Sequence, residues 1–167
     1  MVNLAFSITL SNILNPPSFK PSGTFKIYTY GPVGNLINYL DSNLIVTMNI
    51  AVTTTSFTVS PSNNTVGALT TYNFQISHSI SPHSINDYAI ISIPSLMAVP
   101  LTPSCTAISG ITTVNCFAVS STQFSVKYIT APSNSIQFNL TGMTNYLIGD
   151  QVVNLALNIF DSDGFLM

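Results

Sequence analysis

Apolar and polar side chains alternate with a period of two along most of this chain. The runs are Leu4 to Leu10, Gly23 to Tyr30, Leu44 to Ile50, Ser56 to Ser60 and Thr70 to Ser77. They continue with Asp87 to Ile93, Ile111 to Phe117, Gln123 to Ile129, Ser135 to Thr141 and Val153 to Phe160. Successive side chains of a strand point to opposite faces, so each run predicts a strand with one face buried and one wet. Turn-forming clusters separate the runs: Asn15-Pro16-Pro17, Pro61-Ser62-Asn63-Asn64, Ser81-Pro82 and Ala131-Pro132-Ser133-Asn134. No stretch carries the 3.6-residue apolar stripe of a helix. The pattern predicts an all-β chain, an antiparallel Ig-like β-sandwich of Greek-key type.

The same pattern recurs along the chain. A shift of 130 residues sets Phe6, Ile8 and Leu10 on Ile136, Phe138 and Leu140, and Asn15 on Asn145. It also sets Phe25, Ile27 and Tyr30 on Leu155, Leu157 and Phe160, and Gly34 and Leu36 on Gly164 and Leu166. Few residues are identical, but strand phase, turn glycine and spacing agree over two strands. The expectation is a tandem repeat. Residues 1–50 would be the closing strands of a preceding or partner-completed sandwich, and 51–167 a sandwich lacking its final strand, with the boundary near 51–55. The counterpart of Leu44 to Ile50 would fall past Met167. That strand is expected either from a continuing chain or from a neighbour by β-augmentation. Met1 to Pro17 lacks a basic start and alternates like a strand, so it does not read as a signal peptide.

Composition narrows the function classes. Charged residues make up 5% of the 167, against roughly 25% in an ordinary soluble domain. There is no Arg, Glu or Trp, and the cations are Lys20, Lys26 and Lys127. A nucleic-acid binder needs clustered cations to displace counterions, which argues against that class. No apolar run reaches the 18 or so residues of a membrane span. A net charge of −2 gives little colloidal repulsion. Glycans or burial in an assembly are therefore expected to keep this surface in solution.

Several residues are candidates for specific chemistry. Cys105 and Cys116 enclose Gly110-Ile111, and a two-residue II′ turn there would set them opposite each other on adjacent strands. A disulfide is the favoured reading, with two buried free thiols as the alternative; zinc lacks further ligands. Asn63-Asn64-Thr65 and Asn139-Leu140-Thr141 are N-glycosylation sequons. Asn63 falls in a loop, and Asn139 should point outward because Phe138 and Leu140 point inward. Asp161-Ser162-Asp163-Gly164 resembles part of a calcium loop. The matching Gly31-Pro32-Val33-Gly34 keeps the turn and loses both carboxylates, so Asp161 and Asp163 read as turn residues rather than metal ligands. His78 and His83 flank a turn near Asp87, but no nucleophile elbow or oxyanion loop accompanies them, and no catalytic residue or cofactor is expected. An isopeptide cross-link would need a Lys near an Asn and a buried Glu or Asp; with no Glu and only Lys127 well placed on a central strand, none is expected. The rings of Phe25, Tyr28, Tyr30, Tyr72, Phe74, Phe124 and Tyr128 suit core or cross-strand positions.

Ile8-Thr9-Leu10-Ser11-Asn12-Ile13-Leu14-Asn15-Pro16-Pro17, followed by Ser22-Gly23-Thr24-Phe25-Lys26-Ile27-Tyr28-Thr29-Tyr30, resembles a recurring stretch of large repetitive ciliate surface proteins. Tyr88-Ala89-Ile90-Ile91-Ser92-Ile93-Pro94 with the cysteine pair is similar to the body of the same repeat. The resemblance implies secretion to the cell surface, Ig-like sandwich repeats and a coat or fibre role, and it brings no catalytic residues. The leading expectation is a structural, glycosylated extracellular repeat whose partners are other copies or adjacent repeats. The alternative is an adhesin-type module that binds a glycan or protein through loops such as Pro61 to Thr65 or Ser79 to Asn86.

Overall fold

The computed structural model describes residues 9, 11, 18, 20–45, 54–79, 84–145 and 155–167. All regular structure there is β, in ten strands. β1 (Phe25–Tyr30) and β2 (Leu36–Leu44) form a two-stranded hairpin. The other eight are β3 (Thr54–Pro61), β4 (Leu69–His78), β5 (Tyr88–Ser92), β6 (Ser104–Ser109), β7 (Val114–Ser120), β8 (Gln123–Tyr128), β9 (Ser135–Thr144) and β10 (Ala156–Phe160). They make two four-stranded antiparallel sheets, β3-β4-β9-β6 and β10-β5-β8-β7. Among the described residues, no helix is long and apolar enough to cross a membrane.

Alternation decides which faces meet. Tyr72, Phe74 and Ile76 of β4 and Ile136, Phe138 and Leu140 of β9 all point inward from the first sheet. Ala89 and Ile91 of β5, Phe124, Val126 and Tyr128 of β8 and Ile159 of β10 answer them from the second. Phe74 is the joint between the layers. It stacks on Phe138 of the neighbouring strand, with centroids 5.3 Å apart, and meets the ring of Phe124 in the opposite sheet edge-on at 5.4 Å. The arrangement is sandwich-like, with one continuous apolar core.

Most predicted strands fall where the alternation placed them, and three segments differ. Ser104–Ser109 and Leu36–Leu44 are strands that the pattern did not mark. Ile111 does not begin a strand: it tucks into the core ahead of β7, which starts at Val114. Most of the expected strands Leu4 to Leu10 and Leu44 to Ile50, and part of the boundary near 51–55, lie outside the described residues.

β1 and β2 pair with neither four-stranded sheet. Tyr28 and Tyr39 stack across this hairpin, 6.4 Å between centroids. In the segment before it, the Ser18 hydroxyl donates to Asp161 of the two-sheet body at 2.6 Å and Lys20 pairs with Asp163.

Candidate functional site

Among the described residues the chemistry gathers at a covalent staple, a neutral polar sheet face, and a closing turn that occurs twice. Each arises from local sequence.

The staple joins Cys105 and Cys116, whose Cα atoms are 5.7 Å apart. The expected hairpin is not what positions them. β6 is the last strand of one sheet and β7 the last strand of the other, so the bond spans the two layers along one open side of the body. The connection crosses between sheets because Ile111 and Val114 both bury in the core at its end. Thr130 Oγ1 holds the crossing, accepting the backbone N–H groups of Thr112 and Thr113. Gly110 starts it with φ +72° and donates no space: a Cβ there would lie 1.8 Å from the Ser135 carbonyl oxygen. A shallow groove of about 270 Å³ lies along the staple, lined by Pro103, Ser104, Val114, Asn115 and Phe117 with the cysteines.

The outer face of the first sheet is built from uncharged amides and hydroxyls. Asn73 donates to Asn139 Oδ1 at 2.8 Å, Gln137 donates to Asn73 Oδ1 at 2.9 Å, and Ser77 meets Ser135 at 3.1 Å. Asn139 is thus directed away from the core, between the fully buried Phe138 and Leu140, as the alternation requires. Asn63, the other sequon asparagine, is exposed in the β3–β4 loop, and its Oδ1 accepts the Thr65 N–H at 2.9 Å.

That loop has an anchor which sequence reasoning did not single out. Asn145 is buried; its amide donates to the carbonyls of Asn63 and Thr65 at 2.6 and 2.8 Å, and its oxygen accepts the Tyr72 hydroxyl at 2.6 Å. Its pairing with Asn15 under the 130-residue shift was the one signal available.

The turn at 161–165 uses both carboxylates of the calcium-like motif for other work. Asp161 Oδ1 accepts the N–H groups of Asp163 and Phe165, its Oδ2 takes the Ser18 hydroxyl, and Asp163 pairs with Lys20. Burial pushes the Asp161 carboxyl up, but these donors and the Lys20 charge outweigh it and hold the group below its ordinary value. Behind the turn, buried Asp87 accepts the N–H of Ser162 at 3.0 Å and of Ser84 at 2.6 Å. Burial raises its pKa despite those two donors. No group of three or more metal-ligating side chains gathers among the described residues.

The same turn closes the β1–β2 hairpin. Gly31 N–H donates to the Asn35 carbonyl at 2.8 Å and Gly34 N–H to Gly31 at 2.9 Å. Asp161 N–H donates to Phe165 at 2.9 Å and Gly164 N–H to Asp161 at 3.0 Å. Both bonds recur after 130 residues. So do the left-handed glycines, with φ +79° at Gly34 and +88° at Gly164. Tyr30 pairs with Leu36 across the first turn as Phe160 pairs with Leu166 across the second.

His78 is buried at the end of β4, with Nδ1 3.5 Å from the Thr54 hydroxyl, and burial lowers its pKa. His83 lies outside the described residues. No protein-family description, characterised protein or solved structure matches this chain.

Proposed function

We propose that this chain is a structural repeat of an extracellular coat or fibre, in which β-sandwich bodies follow one another end to end or complete one another with strands. The observation that carries the reading is the closing turn repeated at 31–35 and 161–165, with the same hydrogen bonds and the same cross-strand pair. A recurring hairpin at fixed spacing is what tandem architecture produces, because each unit needs the same closure.

The extracellular placement is supported by the inter-sheet cysteine pair, since such bonds persist in oxidising compartments. It is supported as well by the nearly uncharged surface, for which glycans at Asn63 and Asn139 would supply hydration. The likeness to ciliate surface repeats points the same way. In finer architecture we read the body as an Ig-like Greek-key sandwich with one exchange. An immunoglobulin sheet keeps its first, second, fifth and fourth strands together, whereas here the seventh strand of the body, β9, takes the place of the fifth. The role is non-catalytic: the polar side chains hold turns and sheet faces, and other copies or neighbouring repeats are the partners.

Electron microscopy of the native material tests the proposal. Extended fibres or a regular surface layer are expected. Dispersed single sandwiches, each complete, would count against it.

A further inference from the structure

We propose that the two sequons are open to N-glycosylation at different stages: Asn63 still on the folded chain, Asn139 only before β9 is seated between β4 and β6. Resting on the glycosylated extracellular reading, the assignment adds the stage at which each site can be modified.

The modification moves an oligosaccharide from a lipid diphosphate carrier to the asparagine amide. A C–N bond forms between Nδ2 and the anomeric carbon, the C–O bond to the diphosphate breaks, and Nδ2 gives up one proton. The third residue of Asn-X-Thr contributes its hydroxyl to recognition, so both side chains must reach the transferring enzyme.

Asn63 meets that requirement as it stands. Ser62, Asn63, Asn64 and Thr65 are all exposed in the β3–β4 loop. Asn63 Oδ1 accepts the Thr65 N–H at 2.9 Å, a turn that uses the amide oxygen and not the nitrogen. The loop is held by its main chain. Asn145 donates to the carbonyls of Asn63 and Thr65, and Thr70 Oγ1 accepts the Asn63 N–H at 3.1 Å. These anchors engage neither the Asn63 amide nitrogen nor the Thr65 hydroxyl.

Asn139 is placed differently. It stands in mid-strand, opposite Asn73 of β4 on one side and Thr106 of β6 on the other. Its Oδ1 accepts the Asn73 amide at 2.8 Å, and the Thr141 hydroxyl donates to the Ser104 carbonyl of β6 at 3.3 Å. The residues on either side, Phe138 and Leu140, are fully buried. To present Asn139 and Thr141 to an enzyme, β9 must leave both neighbours and draw Phe138 and Leu140 out of the core. Such an opening approaches unfolding of the whole body. Both neighbours precede β9 in the chain, so its partners are already made when it emerges, and the disulfide holds β6 to β7. A glycan placed before that moment still fits the fold. Substitution at Nδ2 leaves Oδ1 to accept from Asn73, on the polar outer face of the sheet.

The test uses the unglycosylated full chain, a purified oligosaccharyltransferase and a lipid-linked oligosaccharide, with peptide masses as the readout. In the folded chain Asn63 should be modified at least about tenfold faster than Asn139, because a central strand opens rarely. Phe74→Asp puts a carboxylate in the core and leaves both sequons intact. Circular dichroism should show it unfolded, and there the difference between the two sites should vanish. Equal rates in the folded chain, refusal of Asn63 in it, or a block at Asn139 that persists in the unfolded variant would overturn the proposal. Native material bearing no glycan would remove the glycosylated reading and leave this order of acceptance untouched, so the two failures are distinct.

Discussion

Cys105 on β6 faces Cys116 on β7 from the opposite sheet, 5.7 Å away at Cα, so a bond eleven residues apart in sequence fastens the two layers of the body together. A hairpin disulfide would restrain one sheet; this one restrains how far the sheets can separate. Reduction, or Cys105→Ala with Cys116→Ala, should lower stability by about 2–3 kcal/mol in urea unfolding, the range for a short closed loop. An unchanged midpoint would show that the edges hold without the bond.

The crossing between those strands depends on Gly110. Its left-handed φ disfavours any side chain by about 1–2 kcal/mol, and the Ser135 carbonyl occupies the space a methyl would need. Gly110→Ala should therefore be markedly more damaging than Gly34→Ala, where φ is also positive but nothing lies within 4 Å of the added carbon. Paired thermal melts of the two variants check this ordering.

Asn145, just past β9, holds the β3–β4 loop by two side-chain hydrogen bonds and accepts a third from Tyr72 of β4, all in a buried setting. Asn145→Ala leaves two loop carbonyls without that donor, and should cost on the order of 2–3 kcal/mol. Protease cutting between Ser62 and Ala68 should rise in parallel. Stability lost without faster cutting would mean the loop has other anchors.

His78 sets a pH dependence with a definite sign. Burial lowers its folded pKa below 6.5, so in the window beneath 6.5 the unfolded chain binds a proton that the folded chain does not. Stability is thus full above 6.5 and is lost as pH falls toward the folded pKa, by at most about 1.4 kcal/mol per pH unit. In His78→Gln the slope of melting temperature against pH across this window should flatten.

Much of the fold was legible because the central strands are two-faced. β4 and β8 alternate strictly, and β9 does so from Ser135 to Thr141, since one side of each meets the core and the other the surface. β6 escaped notice for a physical reason: in the edge strand Ser104-Cys105-Thr106-Ala107-Ile108-Ser109 the half-buried residues are the small Cys105 and Ala107, while the larger Ile108 is exposed, so its apolar alternation is faint. Period two also says which side of a strand is wet but not which sheet it joins. Proximity in sequence therefore favoured a Cys105–Cys116 hairpin, and the burial of Ile111 and Val114 decided otherwise. The recurring turn was legible because a turn needing a left-handed residue marks its place with glycine, at Gly34 and again at Gly164. Asn145 was not, because an isolated asparagine before a tyrosine looks like any loop residue until the carbonyls it serves are brought beside it.

Hydrogen exchange read by mass spectrometry, on the isolated chain and on native assembled material, tests the central claim most directly. The β1–β2 hairpin should exchange quickly in the isolated chain and become as protected as β10 in the assembly, while β4 and β9 stay protected in both. Equally fast exchange of β1 and β2 in both states would contradict the account.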